Sequence, residues 1–315
     1  MPILGSIASQ NTKTFLVARA GYFAGGYADS PGNLNTIEKI SFAADTKTTL
    51  SATLVGARYA PAGAANSGVA MYVAGGEGGG FQATIDKLTF SPEARTALAA
   101  VLTRGKDRMA GAANSGTAAY FAGGRDGTDY NEIDKVAFST DAKSTLSAVL
   151  STVVQLNAAG AANSGTAAYF AGGYYQDITT YYSRIDKIAF SADTKSTLSA
   201  TLTAAASNIA GAANSGTAAY FAGGANSGGQ LSHIDKIAFS ADTKTTLSAT
   251  LTATKQGVTG AADTGTAAYF AGGYYTGLLS GIDKIAFSAD TKTTLSATLT
   301  TARFVMAGAA NCGVF

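Results

Sequence analysis

The chain has 315 residues, a formal net charge of +2 and 13% charged residues, with 38 glycines, 15 tyrosines and no tryptophan. So neutral a balance offers no basic stripe to a phosphate backbone, which excludes nucleic acid as an expected partner. A single cysteine, Cys312, and a single histidine, His233, exclude an internal disulfide and a multi-histidine metal site.

In chain order, residues 1–15 read as an N-terminal extension. The opening MPILGSIASQNTK lacks the basic and apolar regions of a secretory leader, and no apolar run is long enough to predict a membrane span. Residues 21–27 then form an apolar strand that ends in Gly-Gly. Equivalent pairs begin at Gly25, Gly75, Gly123, Gly172, Gly223 and Gly272, so the spacing is 50, 48, 49, 51 and 49 residues. The string AGAANSGTAAYFAGG occurs unchanged at 110–124, 159–173 and 210–224. Repetition at this period predicts a ring of supersecondary units.

Each unit reads as four strands, a to d. In the third, AGAAN precedes an Asn114-Ser115-Gly116 turn, TAAYFAGG follows, and a variable segment leads to IDKVAFS, a Thr140-Asp141-Ala142 turn and STLSAVL. Strand b is apolar on both faces, as blades packed face to face require. Strand d alternates, with Leu146, Ala148 and Leu150 on one side. Strand a is nearly all Gly and Ala, which places it at the crowded centre. The chain ends on MAGAANCGVF, a strand a without its strand b, while 21–27 is a strand b without its strand a. Residues 307–315 are therefore expected to complete the first blade and close the ring. The predicted fold is a single all-β, six-bladed propeller of four-stranded antiparallel blades spanning 1–315. Cys312 stands where other copies carry serine and reads as a turn residue.

The order Arg-x-x-x-Ala-Gly-Ala, Tyr-Phe-Ala-Gly-Gly, Ile-Asp-Lys and Leu-Ser-Ala-x-Leu resembles the kelch repeat over almost the whole chain. The kelch tryptophan is replaced by Leu50, Leu98, Leu146, Leu198, Leu247 and Leu295. The wording IDKIAFSADTKTTLSATL is also similar to propeller repeats of bacteriophage virion proteins, tail fibres especially. That resemblance implies a non-enzymatic virion component located in the tail, with a host-surface glycan or protein and other virion proteins as partners. It leaves homo-oligomerisation open. The alternative is a structural or protein-interaction propeller without glycan specificity, virion-borne or cytoplasmic.

In an up-and-down blade the b-to-c loops and d-to-a segments share one end. At that end every copy differs, whereas the NSG and ADTK turns of the other end are nearly constant. The varied end is the expected ligand face. Its loops carry Tyr130, Tyr174, Tyr175, Tyr181, Tyr182, Tyr274 and Tyr275, rings that can stack on a sugar or anchor a protein. Arg125, Asp126, Asp129, Asp177 and Arg184 would add polar contacts, with Arg104, Lys106, Asp107, Arg108, Gln155, Asn157, Lys255 and Gln256 from the d-to-a segments.

Chemical motifs are sparse. Asp126, Asp129, Asn131 and Glu132 lack calcium-loop spacing and read as a solvated loop, and GGEGGG at 75–80 precedes a strand instead of a helix. With only His233, neither a Ser-His triad nor the two-histidine site of the kelch-type copper oxidases can be assembled. No catalytic residue, metal or cofactor is expected. In the repeated Asp-Lys units adjacent side chains face opposite ways, so these charges are expected to pair between blades in a six-fold ring, a metal-binding ring of acids being the lesser reading.

Overall fold

The computed structural model describes residues 19–152 and 159–312; the expected extension 1–15 lies outside them. Among these residues six four-stranded antiparallel sheets follow one another around a ring. Five blades take all four strands from consecutive sequence, in the order a-b-c-d. The third, for example, is built from Ala110–Asn114, Ala118–Ala122, Ile133–Ala137 and Lys143–Thr145. The first blade is composite. Its strands b to d are Ala20–Ala24, Thr36–Ser41 and Thr46–Thr53, and its strand a is Ala307–Ala310, paired with strand b from Gly21↔Ala310 to Ala24↔Ala307. The two ends of the chain thus share one blade, as the incomplete terminal repeats predicted.

Every strand b is wholly buried, because apolar side chains on both of its faces meet neighbouring blades. The strand b tyrosine of each blade lies against a phenylalanine of the next: Tyr120 on Phe190 at 5.0 Å between ring centres, Tyr269 on Phe42 at 4.5 Å across the closure. The leucine repeated near the end of strand d is unevenly covered. Leu50 and Leu247 are buried, whereas Leu98, Leu146, Leu198 and Leu295 are only partly buried against the blade cores.

At the centre, glycine is a steric requirement. A Cβ on Gly111 would lie 2.0 Å from the Gly63 carbonyl oxygen, one on Gly160 2.0 Å from Gly111, one on Gly211 2.1 Å from Gly160, and one on Gly260 1.9 Å from Gly211. Gly308 meets Gly260 at 2.1 Å and Gly63 meets Gly308 at 2.2 Å, which completes the circle. No other side chain allows six inner strands to approach so closely.

Strand d departs from expectation. In the third blade regular pairing ends at Thr145, although STLSAVL was read as strand throughout. Beyond it the chain keeps only spaced bonds to the strand c side, Leu146 N–H to Ile133 O and Leu150 N–H to Asn131 O. Buried Asp134 accepts the hydroxyls of Thr145 and Thr103, drawing in the incoming d-to-a segment beside strand d. In the first blade the strand d pairing extends to Thr53.

Candidate functional site at the channel mouth

The two ends of the ring are built differently. At the constant end, Asn66, Asn114, Asn163 and Asn214 each offer Oδ1 to the turn glycine N–H of the following blade, at 2.9–3.0 Å. Cys312 takes the serine place and donates Sγ–H to Asp263 Oδ1 at 3.3 Å; burial pushes its thiol up to about 11, which leaves it protonated and unreactive at neutral pH.

The Asp-Lys units divide their charges as side-chain alternation requires. Each lysine reaches the c-to-d turn of the next blade, as Lys87 to Asp141, Lys135 to Asp193, Lys187 to Asp242, Lys236 to Asp290 and Lys284 to Asp45, all at 2.7 Å. Lys39 uses Glu93 in the same way. The same acidic residue also accepts the strand b tyrosine hydroxyl, for example Tyr120 to Asp193 at 2.9 Å. The acid of each unit points the other way and is buried. Asp134 is hydrogen-bonded by Thr103 and Thr145, Asp186 by Ser151 and Thr197, Asp235 by Thr203 and Thr246, and Asp283 by Thr252 and Thr294. These acids are separate anchors for the d-to-a segments, and among the described residues no acidic cluster could hold a metal.

At the varied end, among the described residues, the d-to-a segments of five blades pair with the residue after the Gly-Gly of the following blade. The bridges are Tyr27 to Phe304, Tyr59 to Glu77, Asp107 to Arg125, Ser207 to Ala225 and Gln256 to Tyr274. One residue further on, the backbone of these five segments forms a collar along the channel. Arg108 N–H donates to Ala60 O, Ala60 to Val305, Val305 to Gly257 and Gly257 to Asn208. All of these residues are left-handed, with φ of 53° at Ala60, 59° at Arg108, 54° at Asn208, 63° at Gly257 and 47° at Val305. For branched Val305 that conformation is strained, and it is held by collar bonds on both sides.

Above the collar lies an open cavity of about 460 Å³, lined by Tyr27, Asn33, Tyr59, Glu77, Arg108, Asn208, Gln256, Phe304 and Val305. Below it the glycine-lined throat narrows to about 80 Å³. Phe304 connects the aromatic wall, with Tyr27 edge-on at 5.9 Å and Tyr274 at 6.1 Å. A bowl of this volume with an aromatic side and a few directed polar groups suits a small polar ligand.

Of the site residues expected from sequence, Arg108 and Gln256 line this mouth and Tyr274 stands behind Phe304. Most of the others contact residues of their own loop or of the neighbouring blade's loop. Tyr174 and Tyr175 pair with Tyr181 and Thr180 in a short hairpin, with the Tyr174 and Tyr181 rings 4.6 Å apart. Arg184 covers Tyr182 at 4.0 Å and Arg104 covers Tyr130 at 4.1 Å. Asp126 accepts the Tyr130 hydroxyl, and Asp129, buried instead of solvated, accepts the Gln176 N–H. Arg125 donates to the Gln176 side chain, while Asp177 and Tyr275 are exposed.

Lys106, Asp107 and Lys255 are buried and do not form open surface. Lys106 pairs with Glu132 at 3.1 Å and Asp134 at 3.6 Å, and Lys255 pairs with Asp283 at 3.0 Å, matching the buried Arg58–Asp86 and Arg303–Glu38 pairs. Gln155 and Asn157 lie outside the described residues.

Sequence reasoning missed Tyr27, Asn33, Tyr59, Glu77, Asn208 and Phe304. Their signal was positional: Tyr27 and Glu77 directly follow a Gly-Gly pair, and Tyr59, Asn208 and Phe304 fall late in their d-to-a segments.

No protein-family model matches this chain. A search of curated proteins likewise finds no match.

Proposed function

We propose that this propeller is a non-enzymatic recognition module, a bacteriophage tail fibre or related virion component, that binds a host-surface glycan or protein at its varied end. The observation that carries the reading is the mouth itself. Tyr27, Tyr59 and Phe304 supply apolar rings, and Asn33, Glu77, Arg108, Asn208 and Gln256 supply donors and acceptors around one cavity of about 460 Å³. Aromatic stacking combined with directed hydrogen bonds is how proteins hold small polyhydroxylated ligands, so a glycan is favoured over a protein. The virion assignment rests on the resemblance of the repeat wording.

A glycan array read with the wild-type chain, Tyr27→Ala and Phe304→Ala tests the proposal. Selective retention of a glycan, reduced at least tenfold by either substitution, supports it; no retained glycan, or retention that ignores both substitutions, overturns it. A second reading, a protein-interaction or structural propeller without sugar specificity, is favoured by the internal pairing of Tyr174 with Tyr181 and of Tyr182 with Arg184. Those rings are already engaged.

A further inference from the structure

Beside the mouth, between the second and third blades, lies a smaller cavity of about 120 Å³ lined by Glu77, Phe81, Asp107, Arg108, Arg125 and Gly127. Glu77 and Arg108 border both cavities. The volume is well above the ~10–15 Å³ that admits one water.

Its polar lining is incomplete. Asp107 is 1% exposed; the Tyr59 hydroxyl faces its carboxyl as a donor, but neither carboxylate oxygen has a partner in hydrogen-bonding geometry. Its ion-pair contact is Arg108 Nε at 3.3 Å, outside hydrogen-bonding geometry. Arg125 Nε is also buried without an acceptor, although the terminal nitrogens of that guanidinium bond Gln176 and the Gly127 carbonyl. Buried polar groups are nearly always satisfied, and leaving one unsatisfied costs about 1–3 kcal/mol, more when it is charged. Two acceptor atoms and one donor atom are therefore unsatisfied around a single cavity.

Resting on the glycan reading above, we infer that this cavity is the specificity subsite and that it takes the hydroxylated edge of a neutral hexose. A hydroxyl both donates and accepts, so adjacent hydroxyls can satisfy Asp107 and Arg125 together. The charges of Glu77, Asp107, Arg108 and Arg125 cancel, which gives an anionic sugar no net attraction. Phe81, at the rim and 38% exposed, offers an apolar face to the ring carbons. The rest of the ligand would lie in the larger mouth through the shared Glu77 and Arg108 border.

The test is a comparison of the full-length chain and Asp107→Asn on an array of neutral and sialylated glycans, with Arg125→Lys as a second variant. Asp107→Asn keeps the side-chain shape and removes the charged acceptor, so folding is preserved and its melting curve verifies this. A preference for neutral hexose ends, weakened tenfold or more in Asp107→Asn and also reduced in Arg125→Lys, supports the inference. Preference for sialylated glycans, or unchanged binding by both variants, overturns it and leaves the glycan reading standing, with water as the occupant of the cavity. Retention of no glycan by the wild-type chain overturns both.

Discussion

The Cβ position of Gly63 lies 2.2 Å from the carbonyl oxygen of Gly308, a contact between the inner strands of the second blade and of the composite first blade. The same relationship repeats from blade to blade, so the ring diameter is set by backbone touching backbone. Any side chain at these positions would have to push two blades apart.

Gly160→Ala isolates that requirement. Its backbone is not in the left-handed region, so alanine is conformationally permitted, and the cost is the collision with Gly111 O at 2.0 Å. Overpacking of this kind is expected to destabilise by about 1–3 kcal/mol. Urea denaturation should show a lowered midpoint with an unchanged slope. Gly56→Ala is the control, since its Cβ would meet nothing within 4 Å.

The Tyr120–Asp193–Lys135 contact, repeated around the ring, gives a second prediction. Asp193 sits at φ 51°, accepts the Tyr120 hydroxyl at 2.9 Å and pairs with Lys135 at 2.7 Å. Asp193→Asn tolerates the left-handed backbone and removes only the charge, so a loss of about 0.5–1.5 kcal/mol is expected. Asp193→Ala loses the acceptor and the conformational tolerance together and should cost more. A double-mutant cycle with Tyr120→Phe should show coupling above 0.5 kcal/mol; additive losses would mean that the tyrosine is held by its ring alone.

Much of this was legible in the chain because the repeats differ so little. The period gave the blade count, and the unpaired halves at the two ends gave the closure. Side-chain alternation in Asp-Lys showed that the two charges face apart, and their partners then followed only as far as the neighbouring blade. Which residue of that blade receives Lys135 could not be read, because Asp193 becomes its neighbour only when the ring is assembled. The mouth was hidden for the same reason. Tyr27 and Phe304 are far apart in sequence and meet across a backbone bridge that depends on closure. Tyr174 and Tyr182 were legible as loop aromatics, but their engagement by Tyr181 and Arg184 depends on how the loop folds back.

Closure itself is testable by removing residues 307–315. Ala307–Ala310 supply the innermost strand of the first blade, and Gly308 fills one place in the glycine circle. Without them strand b of that blade loses its inner partner, and the faces of the second and sixth blades are left open to water. The truncated chain is expected to lose its cooperative thermal transition. A soluble monomer that retains a sharp transition close to that of the full chain would show that the ring does not depend on this strand.

Asp107 makes stability depend on pH in an unusual direction. Burial raises its carboxyl from 3.8 to about 6, opposed by Arg108, Tyr59 and Arg125 and reinforced by Glu77. The folded chain therefore keeps this proton over a range in which the unfolded chain has released it, so folding binds a proton and stability falls as pH rises. The contribution is complete below about pH 4 and is lost on passing through about pH 6, where the buried carboxylate becomes charged. A shift of this size corresponds to about 3 kcal/mol at most. Asp107→Asn cannot titrate, so subtracting its stability from that of the wild-type chain removes the contribution of every other carboxyl. The difference is expected to move against the wild-type chain between pH 4 and pH 6.5 and to stay level above pH 7. Denaturation midpoints of the two chains measured across this range decide the matter; a constant difference would mean that Asp107 is already solvated in the folded chain.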